Sequence, residues 1–137
     1  MSDSVAFIIP GPPVGKGRPR MAAGRMYTPA KTANYEGLVA HEAAVAMAGR
    51  PLLEGACSCS IQIVLPIPAS WSKKKQAAAL AGEIYPTVKP DVDNVIKAIF
   101  DGMNGVVWKD DVQACDGQQT KRYGATPMVR VWVQEVM

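Results

Sequence analysis

The sequence has a single histidine, His41, and only three cysteines. Three is an odd number and far too few for a disulfide scaffold, so the chain reads as one that works in a reducing compartment. A Ser-His or Cys-His nucleophile would have to use His41, which stands on a helical stretch with no recognisable partner. Hydrolysis through a protein nucleophile is therefore set aside. Long apolar runs are also missing: none approaches the roughly 18 residues that a bilayer-spanning helix needs. The N-terminus, Met1 to Ser4, has no basic region, and the apolar run Val5 to Ile9 is too short for a signal peptide. The expectation is a cytoplasmic protein with no membrane partner.

What the chain does contain is one domain's worth of ordinary globular material. Its 137 residues are 48% hydrophobic and 20% charged, enough for a real core and too little charge for a disordered tail. The net charge of +3 says little, but its distribution says more. Residues 1–90 hold ten basic and five acidic side chains, and residues 91–137 hold five and seven. Lys16, Arg18, Arg20, Arg25 and Lys31 are interrupted by no acid, and Lys73, Lys74 and Lys75 form a second basic cluster. Six acids crowd one late window: Asp91, Asp93, Asp101, Asp110, Asp111 and Asp116. A basic surface around an acidic focus suits a metal-dependent enzyme acting on phosphates; a solvated face with scattered charges is the plainer alternative.

Periodicity gives the elements. Val5 to Ile9, ended by Pro10, predicts a strand buried on both faces. Gly11 to Arg25 is too rich in Gly and Pro for helix or central strand and reads as a long loop. Thr28 as N-cap and Pro29 at the first helical position open a helix, with Tyr35, Leu38, Val39 and Ala46 as its apolar face and Gly49 and Pro51 ending it. Cys57, Cys59, Ile61, Ile63 and Leu65 alternate with polar residues and predict a strand with one buried face, stopped by Pro66 and Pro68. Ser70 is expected to cap a short helix through Ala81. A helix from Asp91–Asn94 carries Ile96, Ile99, Phe100 and Met103, and Asn104-Gly105 is a turn signal. Val106 to Trp108, Val112 towards Tyr123, and Met128 to Val136 read as extended. The fold class is α+β: one small domain over residues 1–137, with a mixed β-sheet flanked by helices.

Two apparent motifs fail. Gly11-Pro12-Pro13-Val14-Gly15-Lys16-Gly17 is one residue short of a phosphate-binding P-loop and has Gly17 where Ser or Thr must hold magnesium. Asp91-Val92-Asp93 cannot open a calcium loop, because Val95 and Gly102 occupy ligand positions. Cys57 and Cys59 share a strand face with isoleucines and read as packing, with Cys115 as another small core residue.

The acidic window remains. Asp91 and Asp93 at a helix entry are ordinary near the positive end of its dipole, where a carboxylate gains about 0.3–1 kcal/mol. Asp93 and Lys97 then make a routine i,i+4 pair. The second pair, Asp110-Asp111, points elsewhere: if a tight turn folds it back, three or four carboxylates converge. Such carboxylates repel one another unless a cation neutralises them, and hard oxygen ligands with so little imidazole suit Mg²⁺ or Mn²⁺. Lys97 would add fixed positive charge at the same place. Sequence chemistry alone leaves both readings open.

The run Lys89-Pro90-Asp91-Val92-Asp93-Asn94-Val95-Ile96-Lys97-Ala98-Ile99-Phe100-Asp101, continued by Asn104-Gly105-Val106-Val107-Trp108-Lys109-Asp110-Asp111, resembles the signature of the RusA family of Holliday junction resolvases. Gly15 to Arg20, Tyr27-Thr28-Pro29 and Ser70 to Lys75 resemble phage and prophage members, so the likeness spans nearly the whole chain. The resemblance implies a homodimeric, magnesium-dependent endonuclease (Mn²⁺ as a substitute) that nicks branched DNA, four-way junctions in particular, symmetrically in a bacterial or phage-infected cell. It places the essential, metal-holding aspartates on Asp91, Asp93 and Asp111 and the catalytic lysine on Lys97. Asp101 and Asp110 take supporting roles. DNA contacts fall on Lys16, Arg18, Arg20, Arg25, Lys73, Lys74, Lys75 and Lys89. Two rivals stand beside this reading: a non-catalytic branched-DNA-binding protein whose carboxylates merely cap helices, and a sugar transferase using Asp-x-Asp. Small size and basic loops argue against the second.

Overall fold

A computed structural model describes residues 3–17, 20–22, 24–27 and 29–136. Within β1 (Ser4–Pro10), Val5, Phe7 and Ile9 are buried while Ala6 and Ile8 are exposed. The expected two-sided burial is thus corrected to one. β1 pairs antiparallel with β7 (Met128–Glu135), and β7 with β4 (Cys57–Pro66). The far edge of β4 takes β5 (Ala114–Asp116) and β6 (Gln119–Gly124), both parallel, which makes the sheet mixed as expected.

The alternation in Cys57 to Leu65 and in Val129 to Val133 holds throughout: every second residue is buried. These residues meet Tyr35, Val39, Ala43 and Met47 of α1 (Ala30–Met47) and Val95, Ala98, Ile99 and Met103 of α3 (Val92–Met103) in one core. The two helices cross closely at Gly102. A Cβ there would lie 2.7 Å from the Val39 side chain and 2.9 Å from the Glu36 carbonyl oxygen.

Several local expectations are corrected. Pro29, not the first helical residue, is the N-cap of α1, and Thr28 lies outside the described residues. α2 (Lys73–Leu80) is capped by Ser72, whose hydroxyl accepts from the Lys75 amide, rather than by Ser70. The Gly11–Arg25 loop holds a short ribbon, β2 (Arg20–Ala22) with β3 (Arg25–Tyr27). Val106 to Trp108 is no strand: the amides of Val106 and Val107 both donate to the Met103 carbonyl, which coils the segment onto the helix end. Adjacent Val107 and Trp108 are both buried, a pattern incompatible with one-sided strand alternation. Beyond it, a 3₁₀ turn (Asp111–Gln113) precedes β5, and Gly117 (φ +133°) separates β5 from β6. Cys115 is exposed rather than in the core. Among the described residues no helix is long and apolar enough to cross a membrane.

Candidate active site

Asp91 is the N-cap of α3, with the extended backbone of that position (φ −68°, ψ 145°), yet its side chain accepts no capping hydrogen bond. Asp93 follows in the first turn and Lys97 one turn on, all three exposed. The anticipated Asp93–Lys97 pair is not formed, and the described residues offer none of the three a side-chain hydrogen bond or ion pair. Two carboxylates and an ammonium therefore stand exposed at the start of α3, without the local pairing that would have explained them structurally.

The segment that delivers Asp91 is held from two directions. From β6, the Lys121 ammonium donates to the carbonyls of Val88 (2.7 Å) and Pro90 (3.2 Å). From the N-terminal loop, the Lys16 amide donates to the Asn94 carbonyl (2.9 Å) and the Gly17 amide to Thr32 Oγ1 (2.9 Å). The loop can approach α1 this closely only because position 17 is glycine: a Cβ there would meet Thr32 Oγ1 at 2.9 Å and Pro29 Cγ at 3.1 Å. Between loop and helices lies a groove of about 670 Å³, lined by Gly15, Lys31, Thr32, Lys89, Asp91 and Asn94 among others.

Lys16 behaves differently from the expectation for a DNA contact. Its ammonium pairs with Glu36 of α1 and with Asp101 of α3 (3.0 Å), and its side chain is only 16% exposed. Burial lowers its pKa, but the hydrogen bonds and charges of Asp101 and Glu36 outweigh that and leave it raised above the ordinary lysine value. Asp101 thus has a structural role in this fold: with Glu36 it neutralises the lysine that anchors the basic loop.

Asp111 sits at the other end of α3. Its Oδ2 accepts from Asn104 Nδ2 (3.2 Å), and Asn104 Oδ1 accepts from the indole N–H of buried Trp108 (2.9 Å). Asp110 caps the 3₁₀ turn reciprocally with Gln113, whose amide also donates to the carbonyls of Leu53 and Gly55. A 12-residue helix rises about 18 Å, so Asp91 and Asp93 lie far from Asp111 within one chain. Among the described residues no three His, Cys, Asp or Glu side chains are grouped to hold a metal ion. The expected convergence of the acidic pairs is not found in a single copy.

The remaining basic residues are distributed around the groove and beyond it. Lys89 is exposed beside Asp91. Lys73, Lys74 and Lys75 form the exposed first turn of α2, with the Lys75 ammonium 3.9 Å from the Trp71 ring centroid. Arg25 is exposed on β3; Arg18 lies outside the described residues, as does the side chain of Arg20. Sequence reasoning missed Asn104 and Lys121. Asn104 was legible only as a turn residue, and Lys121 as one base in an extended stretch.

The model for endodeoxyribonuclease RusA matches residues 10–134. The uncharacterized protein YqaN of Bacillus subtilis strain 168 is 37% identical over 142 residues, which covers 98% of each chain. With the acidic helix entry, the following turn and the basic loop all inside the matched span, this chain belongs to the RusA family of endodeoxyribonucleases.

Proposed function

We propose that the protein is a magnesium-dependent endodeoxyribonuclease that resolves four-way DNA junctions by paired symmetrical nicks, leaving 5′-phosphate and 3′-hydroxyl ends. The observation that carries this reading is the exposed, unpartnered trio Asp91, Asp93 and Lys97 at the start of α3, where Asp91 lines a groove that Lys31 and Lys89 also line. Two hard carboxylates fit Mg²⁺, which is commonly held by one or two carboxylates together with water and substrate phosphate. When bound, the ion supplies positive charge against the scissile phosphate and eases ionisation of the attacking water. Lys97 places a fixed cation against charge developing on the phosphate, and Lys89 and the α2 lysines hold DNA arms by phosphate contacts.

The active form in this reading is a homodimer. Asp111 completes the site from a second copy whose α3 runs the opposite way. Val112, beside Asp111, supports this arrangement: it is 80% exposed, an apolar side chain whose burial against a second copy would be favourable. Two such sites related by a two-fold axis match the symmetry of a four-way junction. The test is cleavage of a synthetic junction with and without Mg²⁺, nicks mapped on all four strands. Asp93→Asn is expected to bind the junction within about threefold of wild type and to lose at least 100-fold in cutting, the scale at which electrostatic groups act in catalysis. Tight junction binding with no cleavage in any metal would establish the non-catalytic rival instead.

A further inference from the structure

We propose that Lys121 is a positioning residue for Asp91, setting its place at the helix entry through the main chain. The inference rests on the reading of Asp91 as part of the active site. Lys121 stands on β6 opposite Ile63, which is 1% exposed, so its backbone is fixed in the sheet. Its ammonium binds the two carbonyls that flank Lys89, those of Val88 and Pro90. The Pro90 carbonyl belongs to the same planar peptide unit as the Asp91 amide, so holding it holds the plane from which Asp91 departs. An N-cap aspartate ordinarily fixes its own side chain by accepting from an amide of the first turn. Asp91 makes no such bond, so the backbone before it is what fixes the point and direction in which its side chain leaves the chain.

The choice of lysine is itself informative. Gln113 performs the same task elsewhere in this fold, holding the Leu53 and Gly55 carbonyls with a neutral amide. A neutral donor would have sufficed at position 121 if bridging carbonyls were the whole requirement. Instead a half-buried ammonium is present with no carboxylate partner among the described residues. Its charge is left uncompensated at the base of a loop that enters a groove proposed to hold phosphate.

The experiment compares Lys121→Met, which keeps the apolar stem and loses the donors, with Lys121→Arg, which keeps donors and charge. Full-length protein is used throughout. The Asp91 backbone amide resonance, recorded without DNA or metal, reads the positioning directly: it is expected to shift and broaden in Lys121→Met and to return in Lys121→Arg. Junction cutting should fall about 10–100-fold in Lys121→Met, the usual scale for a supporting residue behind a metal-holding carboxylate. Junction affinity measured in chelator should stay within about threefold, and Lys121→Arg should recover most of the rate. An Asp91 resonance and a cutting rate both unchanged in Lys121→Met would overturn the proposal, as would a rate loss matched by an equal loss of junction affinity. Should Lys121→Met not fold, Lys121→Leu, which also lacks donors, supplies the same comparison. Wild-type protein that fails to cut junctions would overturn the nuclease reading instead, while the Asp91 resonance would still judge the positioning.

Discussion

At the scale of single residues, Asn104 and Lys16 organise polar groups that burial would otherwise penalise. Asn104 satisfies the indole N–H of fully buried Trp108 and in turn donates to Asp111. Asn104→Ala leaves that N–H without its partner, for a loss of about 1–3 kcal/mol in denaturant unfolding. It also frees Asp111 to rotate, so cutting should fall more than junction binding. Lys16 couples stability to alkaline pH. Its pKa is raised in the folded chain, so its contribution is complete below the ordinary lysine value of about 10.4 and disappears as pH climbs through the higher folded value. Melting curves of Lys16→Met should therefore lie below wild type at pH 8 and converge on it at the alkaline extreme. The cysteines separate by burial. Burial pushes the Cys59 thiol up to about 12, whereas Cys115 is exposed. At pH 8 an alkylating reagent should modify Cys115 on the folded protein and reach Cys59 only after unfolding.

At the scale of elements, α2 is built against its own dipole. Lys73, Lys74 and Lys75 occupy the first turn, the positive end, with no acid there and only Ser72 as cap. Such a helix is improved by an anion outside it. Replacing Lys73 and Lys74 with Gln should raise the melting temperature slightly while weakening junction binding. The salt slope of log K should fall by about one for each DNA phosphate that the variant no longer neutralises. Unchanged salt dependence would remove these lysines from the DNA interface. The α1–α3 crossing has the opposite character, with no slack at all. Gly102→Ala drives a methyl into Val39 and the Glu36 carbonyl, and overpacking of this kind costs about 1–3 kcal/mol. Because α3 carries Asp91, Asp93 and Lys97, the displaced helix should also cut more slowly.

At the scale of the whole molecule, α3 separates the two acidic groups that the proposed chemistry brings together. One copy presents Asp91 and Asp93 near one end of that helix and Asp111 beyond the other. Activity should accordingly depend on self-association. Val112→Glu, placed on the 80% exposed valine, is expected to shift the protein to monomer in sedimentation and to abolish cutting. Mixing inactive Asp93→Asn with inactive Asp111→Asn should restore nicking at one of two sites in mixed dimers. No recovery after subunit exchange would exclude a site shared between copies.

The sequence by itself determined the elements whose burial repeats at a fixed period. β4, β7 and the apolar face of α3 follow from side-chain spacing, because residues on one face must share one solvent exposure. It also singled out Asp91, Asp93 and Lys97, since neighbours on a short stretch of helix stay neighbours in the fold. Only the tertiary structure decided what depends on distant partners. β1 was expected to be covered on both sides, yet α1 and α3 both pack on one face of the sheet. Trp108 coils into the core instead of extending, because the end of α3 accepts the Val106 and Val107 amides. Lys16 was expected to contact DNA and Lys121 was one base in an extended stretch; it is the bonds to Asp101 and to the Pro90 carbonyl that give each its place around α3. Charge is legible along a chain, but what a charge is paired with depends on residues that only folding brings near.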